Sequence, residues 1–184
     1  ADTVLMPSPL THISGIVHAL LVPAALGSTV VLMDRWEPAE ALRLIAAERV
    51  TYMVGAPTFL RDLAQHPDLA RHDTTSFRLF SCGGADVDPT LVRDAAARLG
   101  CVVKRVYGST EFPTVTTTDA GDALTHGIDT EGRAIQPAEV RIADASGAAL
   151  PVGAEGEVQG RGPECFVGYL DARLNADAFT SDGW

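Results

Sequence analysis

The sequence predicts an α/β protein with a mostly parallel, doubly wound sheet that carries helices on both faces. Short β-type runs alternate with helical patterns through the first two thirds of the chain. Strands separated by helices of about 10 to 15 residues form crossover units, which build parallel sheets. From Val115 onward the helical periodicity disappears and turn residues separate short β runs, which predicts a small antiparallel β appendage.

Each strand of the parallel sheet is predicted from a short continuous apolar or β-branched run. The run of Thr29–Met33 is typical of a strand that is buried on both faces. The predicted strands are Thr3–Met6, Thr29–Met33, Val50–Val54, Leu79–Cys82 and Cys101–Val106.

The helices between these strands are predicted from their apolar periodicity and their end signals. Ile13–Leu26 is apolar nearly all round, which is typical of a helix buried against a sheet. Glu37–Glu48 has an apolar face and a proline in its first turn. The remaining predicted helices are Pro57–Gln65 and Pro89–Leu99, the second of which ends at Gly100 as its left-handed cap.

The appendage is predicted to hold three strands and one short helix. We divide the chain into residues 1–118, the α/β part, and residues 119–184, the β-rich extension. The predicted elements of the extension are strands Val140–Ala143, Gly156–Gly160 and Phe166–Tyr169, a turn at Asp144–Gly147 and a helix at Asp171–Ala178.

Composition excludes several classes of function. The charge is 14 − 24 = −10, which disfavours binding to nucleic acid or to an anionic membrane surface. The apolar stretch Ile16–Met33 is interrupted by Pro23 and is not expected to span a membrane. The chain begins without a basic segment, so we expect no signal peptide and a cytoplasmic protein.

The three cysteines predict no metal site and no disulfide. Cys82, Cys101 and Cys165 are odd in number and form no Cys-x-x-Cys pair. None has a basic neighbour that would stabilise a thiolate, so we expect free, slowly reacting thiols in a reducing compartment.

The segment Tyr107–Glu111 carries the groups that a nucleotide bound with magnesium requires. It follows a predicted buried strand, and ligands bind beyond the carboxyl ends of such strands. An aromatic face can stack a base, hydroxyls can donate to phosphate oxygens, and the carboxylate of Glu111 is a hard ligand for a metal. From the residues alone, an ordinary turn with a solvated Glu111 is the alternative.

The same segment resembles the Tyr-Gly-x-Thr-Glu signature of the adenylate-forming (AMP-binding) superfamily, which includes acyl-CoA synthetases, peptide-synthetase adenylation domains and luciferases. Five further segments resemble motifs of this family in the same order. They are Pro9–Gly15 (Pro-Leu-x-His-x-x-Gly), Gly83–Ala85 (Gly-Gly-Ala), Gly132-Arg133 (Gly-Arg-Pro, with Ala134 in place of proline), Gly156–Tyr169 (Gly-Glu…Gly…Gly-Tyr) and Asp182–Trp184 (Asp-Gly-Trp).

The resemblance implies the central part of an AMP-forming acyl-CoA synthetase that uses ATP, Mg²⁺ and coenzyme A with a fatty, alicyclic or aromatic acid. It implies catalytic roles for His12, Thr110 and Glu111, with Glu111 as the Mg²⁺ ligand, and it makes residues 1–118 an acyl- and adenine-binding subdomain. The implied nucleotide-binding residues are Gly83, Gly84, Ala85, Tyr107, Gly108, Ser109 and Thr110. The implied acid-pocket residues are His12, Gly55, Ala85, Gly108, Phe112 and Pro113.

The sequence also departs from the family pattern. The phosphate loop upstream of the histidine motif, the aspartate that follows Asp-Gly-Trp and the C-terminal domain with its lysine are absent. We therefore expect a middle portion of a longer enzyme that is catalytically incomplete by itself. The alternatives are a non-catalytic ligand-binding module and a peptide-synthetase adenylation domain, although Gly55–Phe59 lacks the acidic residue that an amino-acid pocket needs.

Overall fold

A seven-stranded sheet organises most of the chain in this computed structural model, which describes residues 1–184. Its strands run in the order β2-β1-β3-β4-β5-β6-β7, and the first five are parallel neighbours. The last two strands are short and antiparallel. The strands are β1 Thr3–Met6, β2 Thr29–Leu32, β3 Tyr52–Gly55, β4 Leu79–Gly83, β5 Val102–Tyr107, β6 Thr116–Thr117 and β7 Arg133–Ala134.

Four helices connect the parallel strands, and their end residues agree with the sequence signals. A proline opens the last three, where its missing N–H costs no hydrogen bond. Asp88 caps the fourth by accepting from the Thr90 amide at 2.7 Å, and Gly100 ends it in the left-handed conformation, as predicted. The helices are α1 (Ile13–Gly15, π-helical Ile16–Leu21 and Val22–Leu26 in succession), α2 Pro38–Ala47, α3 Pro57–Gln65 and α4 Pro89–Leu99.

The main core lies between one face of the sheet and helices α2, α3 and α4. Alternate residues of the strands point into it, as Leu5, Met53 and Phe80 show, and all three are fully buried. Leu42 and Leu60 meet them from the helices. This large apolar layer fixes the parallel strands relative to one another, so their carboxyl ends form a rigid edge of the sheet.

The opposite face of the sheet carries α1, and the predicted packing of this helix against the sheet is confirmed, although its outer apolar residues are exposed. Ala19 and Pro23 are buried, whereas Leu21 is 60% and Leu26 is 70% exposed. A single helix on a sheet buries only the stripe that faces the strands, so its outer residues remain accessible. None of the helices combines the length and the apolar character needed to cross a lipid bilayer.

The prediction that Thr29–Met33 is buried on both faces is wrong. The run forms β2, but β2 pairs only with β1 and lies at the edge of the sheet. Thr29 and Leu32 are exposed there. A continuous β-branched run identifies a strand but does not say whether it has one neighbour or two.

A buried arginine ties β5 to the segment that leads into β7. Arg105 donates to the Ile128 carbonyl at 2.8 Å and pairs with the Glu131 carboxylate. Its backbone N–H also donates to the Thr118 hydroxyl at 2.9 Å. These bonds fix the chain on both sides of the turn that follows β5.

The predicted antiparallel appendage is confirmed as a two-stranded sheet, β8 Glu139–Ala143 and β9 Glu157–Arg161. The aromatic ring of Trp184 lies against this sheet, with the guanidinium carbons of Arg141 and Arg161 at 4.4 and 4.7 Å from the ring centre. Asp182 accepts hydrogen bonds from Arg141 at 3.0 and 3.3 Å. The C-terminal turn is thereby held on the appendage.

Two predictions in the appendage need correction. Phe166–Tyr169 is an extended loop and not a strand, because its amides bond elsewhere: the Phe166 N–H donates to the Glu111 carbonyl and the Tyr169 N–H to the Asn175 side chain. The helix predicted at Asp171–Ala178 is a 3₁₀ turn, Ala172–Leu174, followed by α5, Asn175–Ala178. The division at residue 118 stays a prediction, since β7 continues the main sheet beyond it.

The cysteine thiols are all unpaired, which leads to a testable expectation. Burial raises the pKa of Cys82 and of Cys101 to about 12, and burial also raises the pKa of the half-buried Cys165. Under native conditions at pH 8 we expect Cys165 to react with a thiol reagent such as DTNB long before Cys82 and Cys101. All three thiols should react at once in denaturant. An intramolecular disulfide, or rapid labelling of all three in the folded chain, would contradict this expectation.

Candidate active site

The carboxyl ends of β1, β3, β4 and β5 open into one cavity of about 430 Å³. Parallel strands place the loops that follow them side by side, so segments far apart in the sequence meet here. Most of the predicted site residues line this cavity. They are His12, Gly55, Gly83, Gly84, Gly108, Ser109, Thr110 and Pro113.

Four predicted site residues lie outside the cavity lining. Ala85 and Tyr107 are exposed beside it, and Tyr107 is 43% accessible. Glu111 is half-buried at its rim. Phe112, which the resemblance assigns to the acid pocket, is instead buried under the appendage with Val115 and Ala138. The reason is local, because the turn after β5 directs Phe112 away from the cavity toward the second sheet.

The turn after β5 presents its polar groups through internal hydrogen bonds. The Ser109 hydroxyl accepts from the backbone N–H groups of Glu111 and Phe112, both at 3.2 Å, and the Ser109 N–H donates to the Phe112 carbonyl at 2.9 Å. Thr110 lies exposed at the tip, and its hydroxyl makes no hydrogen bond to the protein. Ser109 therefore shapes the turn, while the Thr110 hydroxyl is free to donate to a ligand in the cavity.

Glu111 is held in place by the extended loop of the appendage. The Tyr169 hydroxyl donates to Glu111 Oε1 at 2.7 Å, and the Phe166 N–H donates to the Glu111 carbonyl at 2.7 Å. The hydrogen bond from Tyr169 is the main cause that lowers the pKa of Glu111. The carboxylate is therefore ionised at neutral pH, and the hydrogen bond from Tyr169 uses only one of its oxygens, Oε1.

His12 caps the start of α1 at the opposite side of the cavity. Its Nδ1 accepts from the Ser14 backbone N–H at 3.2 Å and lies 2.8 Å from the Ser14 hydroxyl. The backbone N–H of His12 donates to the Pro9 carbonyl at 2.9 Å, which tightens the turn between β1 and the helix. Since both contacts with Ser14 use Nδ1, the exposed imidazole presents Nε2 as its free nitrogen.

The glycines of the loop after β4 have different reasons to be glycine. A Cβ on Gly83 would lie 2.1 Å from the Val106 carbonyl oxygen, because β4 and β5 are in close register there. Gly84 has open space around it but a φ of +81°, in the left-handed region. Gly83 thus permits close packing at the carboxyl edge, and Gly84 permits the turn.

We expect Gly83→Ala to be the more disruptive of the two substitutions. The added methyl group must push β4 and β5 apart, at a cost of about 1–3 kcal/mol, and this also widens the cavity wall. Gly84→Ala meets no atom and costs about 1 kcal/mol of backbone strain. Urea unfolding of both variants beside the parent chain measures the difference. Equal destabilisation, or the larger loss in Gly84→Ala, would contradict the steric argument.

Comparison with known proteins agrees with this geometry. Residues 1–170 match the family described as AMP-binding enzyme. The chain belongs to this family of AMP-binding enzymes. It is similar to the medium-chain fatty-acid–CoA ligase of Escherichia coli, with 35% identity over the whole chain and 32% of that enzyme. The chain thus spans about a third of the length of the curated relatives it matches.

Solved structures of AMP-binding enzymes share the fold. The amide bond synthetase McbA from Marinactinospora thermotolerans superimposes with a TM-score of 0.89 at 34% identity, over 100% of this chain and 37% of that one. The O-succinylbenzoate coenzyme A synthetase MenE from Bacillus subtilis, solved with ATP and magnesium, gives 0.87 at 26% identity, again over 100% of this chain and 37% of that one. The predicted fold and family are both confirmed.

Two contacts of this AMP-binding enzyme were outside the sequence analysis. Tyr169 was noted as part of a motif, but nothing in the sequence indicated that it reaches Glu111, 58 positions away. His18 lines the cavity from the π-helical part of α1, and nothing in the sequence indicated either the π-helix or this position. Both contacts arise from tertiary packing.

Proposed function

We propose that this chain is the acid- and adenine-binding part of an AMP-forming acyl-CoA synthetase. The parent enzyme would convert a carboxylic acid, ATP and CoA into acyl-CoA, AMP and pyrophosphate. The observation that carries the proposal is that Thr110 and His12 line one cavity at the carboxyl edge of the sheet, with Glu111 next to Thr110 in the same turn. A cytoplasmic location and the absence of a nucleic-acid partner belong to the same proposal, supported by the unpaired cysteines and the charge of −10.

In the proposed reaction, an oxygen of the acid attacks the α-phosphorus of ATP. A new P–O bond forms, the bond to the β-phosphate breaks, and pyrophosphate leaves. The CoA sulfur then attacks the carbonyl carbon of the acyl-adenylate, and AMP leaves. The acid and the phosphates are both anionic, so the site must offset negative charge as the first bond forms.

The residues of the turn after β5 fit a magnesium ion that arrives with the nucleotide. No cluster of three or more histidine, cysteine or acidic side chains is present, but Mg²⁺ commonly takes one or two carboxylates and completes its shell with phosphate oxygens and water. Glu111 offers an ionised carboxylate, of which the hydrogen bond from Tyr169 uses only one oxygen. When bound there, Mg²⁺ would neutralise charge on the phosphates.

The other residues would bind and orient the two substrates. The free hydroxyl of Thr110 would donate to an α-phosphate oxygen, and Tyr107 would offer its exposed ring to the adenine beside the Gly83–Ala85 backbone. His12 Nε2 would contact the carboxylate of the acid. The acid itself would lie along Gly55, Gly108 and Pro113 in the cavity.

The deciding experiment measures pyrophosphate release by the parent enzyme with ATP, Mg²⁺ and a panel of fatty, alicyclic and aromatic acids. Acid-dependent release, followed by formation of the thioester on addition of CoA, is the expected result. Because a similar structure is an amide bond synthetase, the second step is also run with an amine in place of CoA. Formation of an amide without a thioester would contradict the CoA-ligase proposal and indicate an amide bond synthetase. The absence of acid-dependent pyrophosphate release would overturn adenylation itself.

The hydrogen bond from Tyr169 gives a pH-dependent expectation for this function. Tyr169→Phe removes the donor that lowers the pKa of Glu111, so that pKa should rise toward its ordinary value. Activity needs the ionised carboxylate, and the acid limb of the kcat/KM profile should therefore move to higher pH. Val167→Ala in the same loop, whose side chain is fully exposed, is the matched control. An unchanged acid limb in Tyr169→Phe would contradict the assigned role.

A further inference from the structure

Two polar side chains link the sheet to the wall of the cavity. The phenol oxygen of Tyr52 lies 3.2 Å from His18 Nδ1. Tyr52 is on β3, on the face that α1 covers, and the rings of Tyr52 and His18 meet edge to face at 5.9 Å. His18 lines the cavity itself.

The direction of the hydrogen bond between Tyr52 and His18 follows from the acidity of the two groups. A phenol is a stronger acid than a neutral imidazole N–H, and an imidazole nitrogen is a stronger acceptor than a phenol oxygen. The Tyr52 hydroxyl therefore donates to His18 Nδ1. Burial lowers the pKa of His18, so the ring is neutral at pH 7 and its proton resides on Nε2.

The Nε2–H group of His18 has no protein partner, and the His18 side chain lies at the wall of the cavity. The only hydrogen bond of the imidazole is that with Tyr52. Only two side-chain polar atoms are both fully buried and without a hydrogen-bond partner, Arg105 Nε and Thr116 Oγ1. Since His18 Nε2 also lacks a protein partner but is not one of them, it is accessible to solvent or to a ligand. A donor held in one direction at the wall of a cavity selects a ligand with an acceptor at the matching position.

We propose that His18, oriented by Tyr52, selects carboxylic acids that carry an oxygen acceptor such as a ketone away from the carboxylate. This inference rests on the proposed function, since it concerns the acid that the cavity would hold. It adds a specificity-determining residue, His18, and a positioning residue, Tyr52. The expected substrate is an oxo acid, in preference to the plain fatty or alicyclic acid of the same skeleton.

The test compares matched acids in the parent enzyme. Octanoate is measured against its 5-, 6- and 7-oxo derivatives, and cyclohexanecarboxylate against its 4-oxo derivative. We expect at least one oxo acid to exceed its plain partner in kcat/KM by about five- to tenfold, the range of one neutral hydrogen bond. His18→Leu should remove the preference, whereas His18→Gln, which retains an N–H donor, should keep part of it.

Two further variants separate polarity from shape. Val17→Ala also alters the cavity wall, but it should change both members of a pair alike and leave their ratio intact. Tyr52→Phe should lower the ratio because the imidazole loses the bond that orients it. If Val17→Ala lowered the ratio of kcat/KM between an oxo acid and its plain partner as much as His18→Leu, the inference would be overturned. The size of the cavity, and not hydrogen bonding, would then set the preference.

A second measurement does not depend on turnover. ¹⁵N NMR of the folded 184-residue chain reports which imidazole nitrogen of His18 is protonated, and we expect Nε2–H in the native chain and a mixture in Tyr52→Phe. Protonation at Nδ1 in the native chain would overturn the inference. An enzyme that activates octanoate without any oxo preference would also overturn it and leave the proposed function standing. If no acid is activated at all, the proposed function fails and this inference fails with it.

Discussion

Glu111→Gln in the parent enzyme is expected to lower the rate of adenylate formation by about 100-fold or more, a loss of about 3 kcal/mol of transition-state stabilisation. In the native chain the Tyr169 hydroxyl lies 2.7 Å from the Glu111 carboxylate. Glutamine keeps the size of the side chain and one oxygen that can still accept this hydrogen bond. The fold of the turn should therefore survive. What the substitution removes is the negative charge that would hold Mg²⁺ against the phosphates.

The measurement is pyrophosphate release at saturating acid and ATP across a range of Mg²⁺ concentrations. Glu155→Gln is the matched control, because Glu155 is an exposed glutamate that makes no side-chain hydrogen bond. This control should leave the rate unchanged. Release at a near-normal rate from Glu111→Gln would show that Glu111 is a solvated residue of the turn and not a metal ligand.

Phe80→Ala is expected to destabilise the chain by about 3–5 kcal/mol. Phe80 is fully buried on β4, and its ring meets that of Phe77 edge to face with centroids 6.4 Å apart. Cavities in a layer of this kind close only in part, because the strands on either side are held by their own hydrogen bonds. A loss of this size is a large share of the about 5–15 kcal/mol that stabilises a typical domain.

Urea unfolding of the 184-residue chain followed by circular dichroism measures this loss. Leu170→Ala removes an apolar side chain of similar type from a fully exposed position, so its free energy of unfolding should change by less than about 0.5 kcal/mol. A small loss in Phe80→Ala, close to that of the control, would mean that the layer between the sheet and helices α2 to α4 does not carry the stability of the fold.

The sequence determined the crossover pattern, and it predicted which loops lie together at the carboxyl edge of the sheet. Continuous apolar runs, prolines at helix starts and Gly100 at a helix end are local signals, because they act through the backbone of their own segment. The rule that ligands bind at the carboxyl ends of parallel strands then placed Gly83 and Thr110 together before any contact was known. Motif order added the family, which residues 1–170 confirm.

Burial and side-chain direction were decided only by the tertiary structure. The composition of β2 is the same whether one neighbour or two cover it, so its apolar run predicted a strand correctly but predicted its burial wrongly. The apolar composition of α1 likewise does not say that only one side of the helix is covered. Phe112 follows the motif directly, yet the turn directs it beneath the appendage and away from the cavity.

The same limit applies to the contacts that complete the site. Tyr169 reaches Glu111 only because the loop after β9 folds back across the turn after β5. His18 lies at the cavity because α1 packs across the sheet beside Tyr52. Sequence patterns report how a segment relates to its own backbone, whereas these contacts depend on the distances between segments, which packing alone determines.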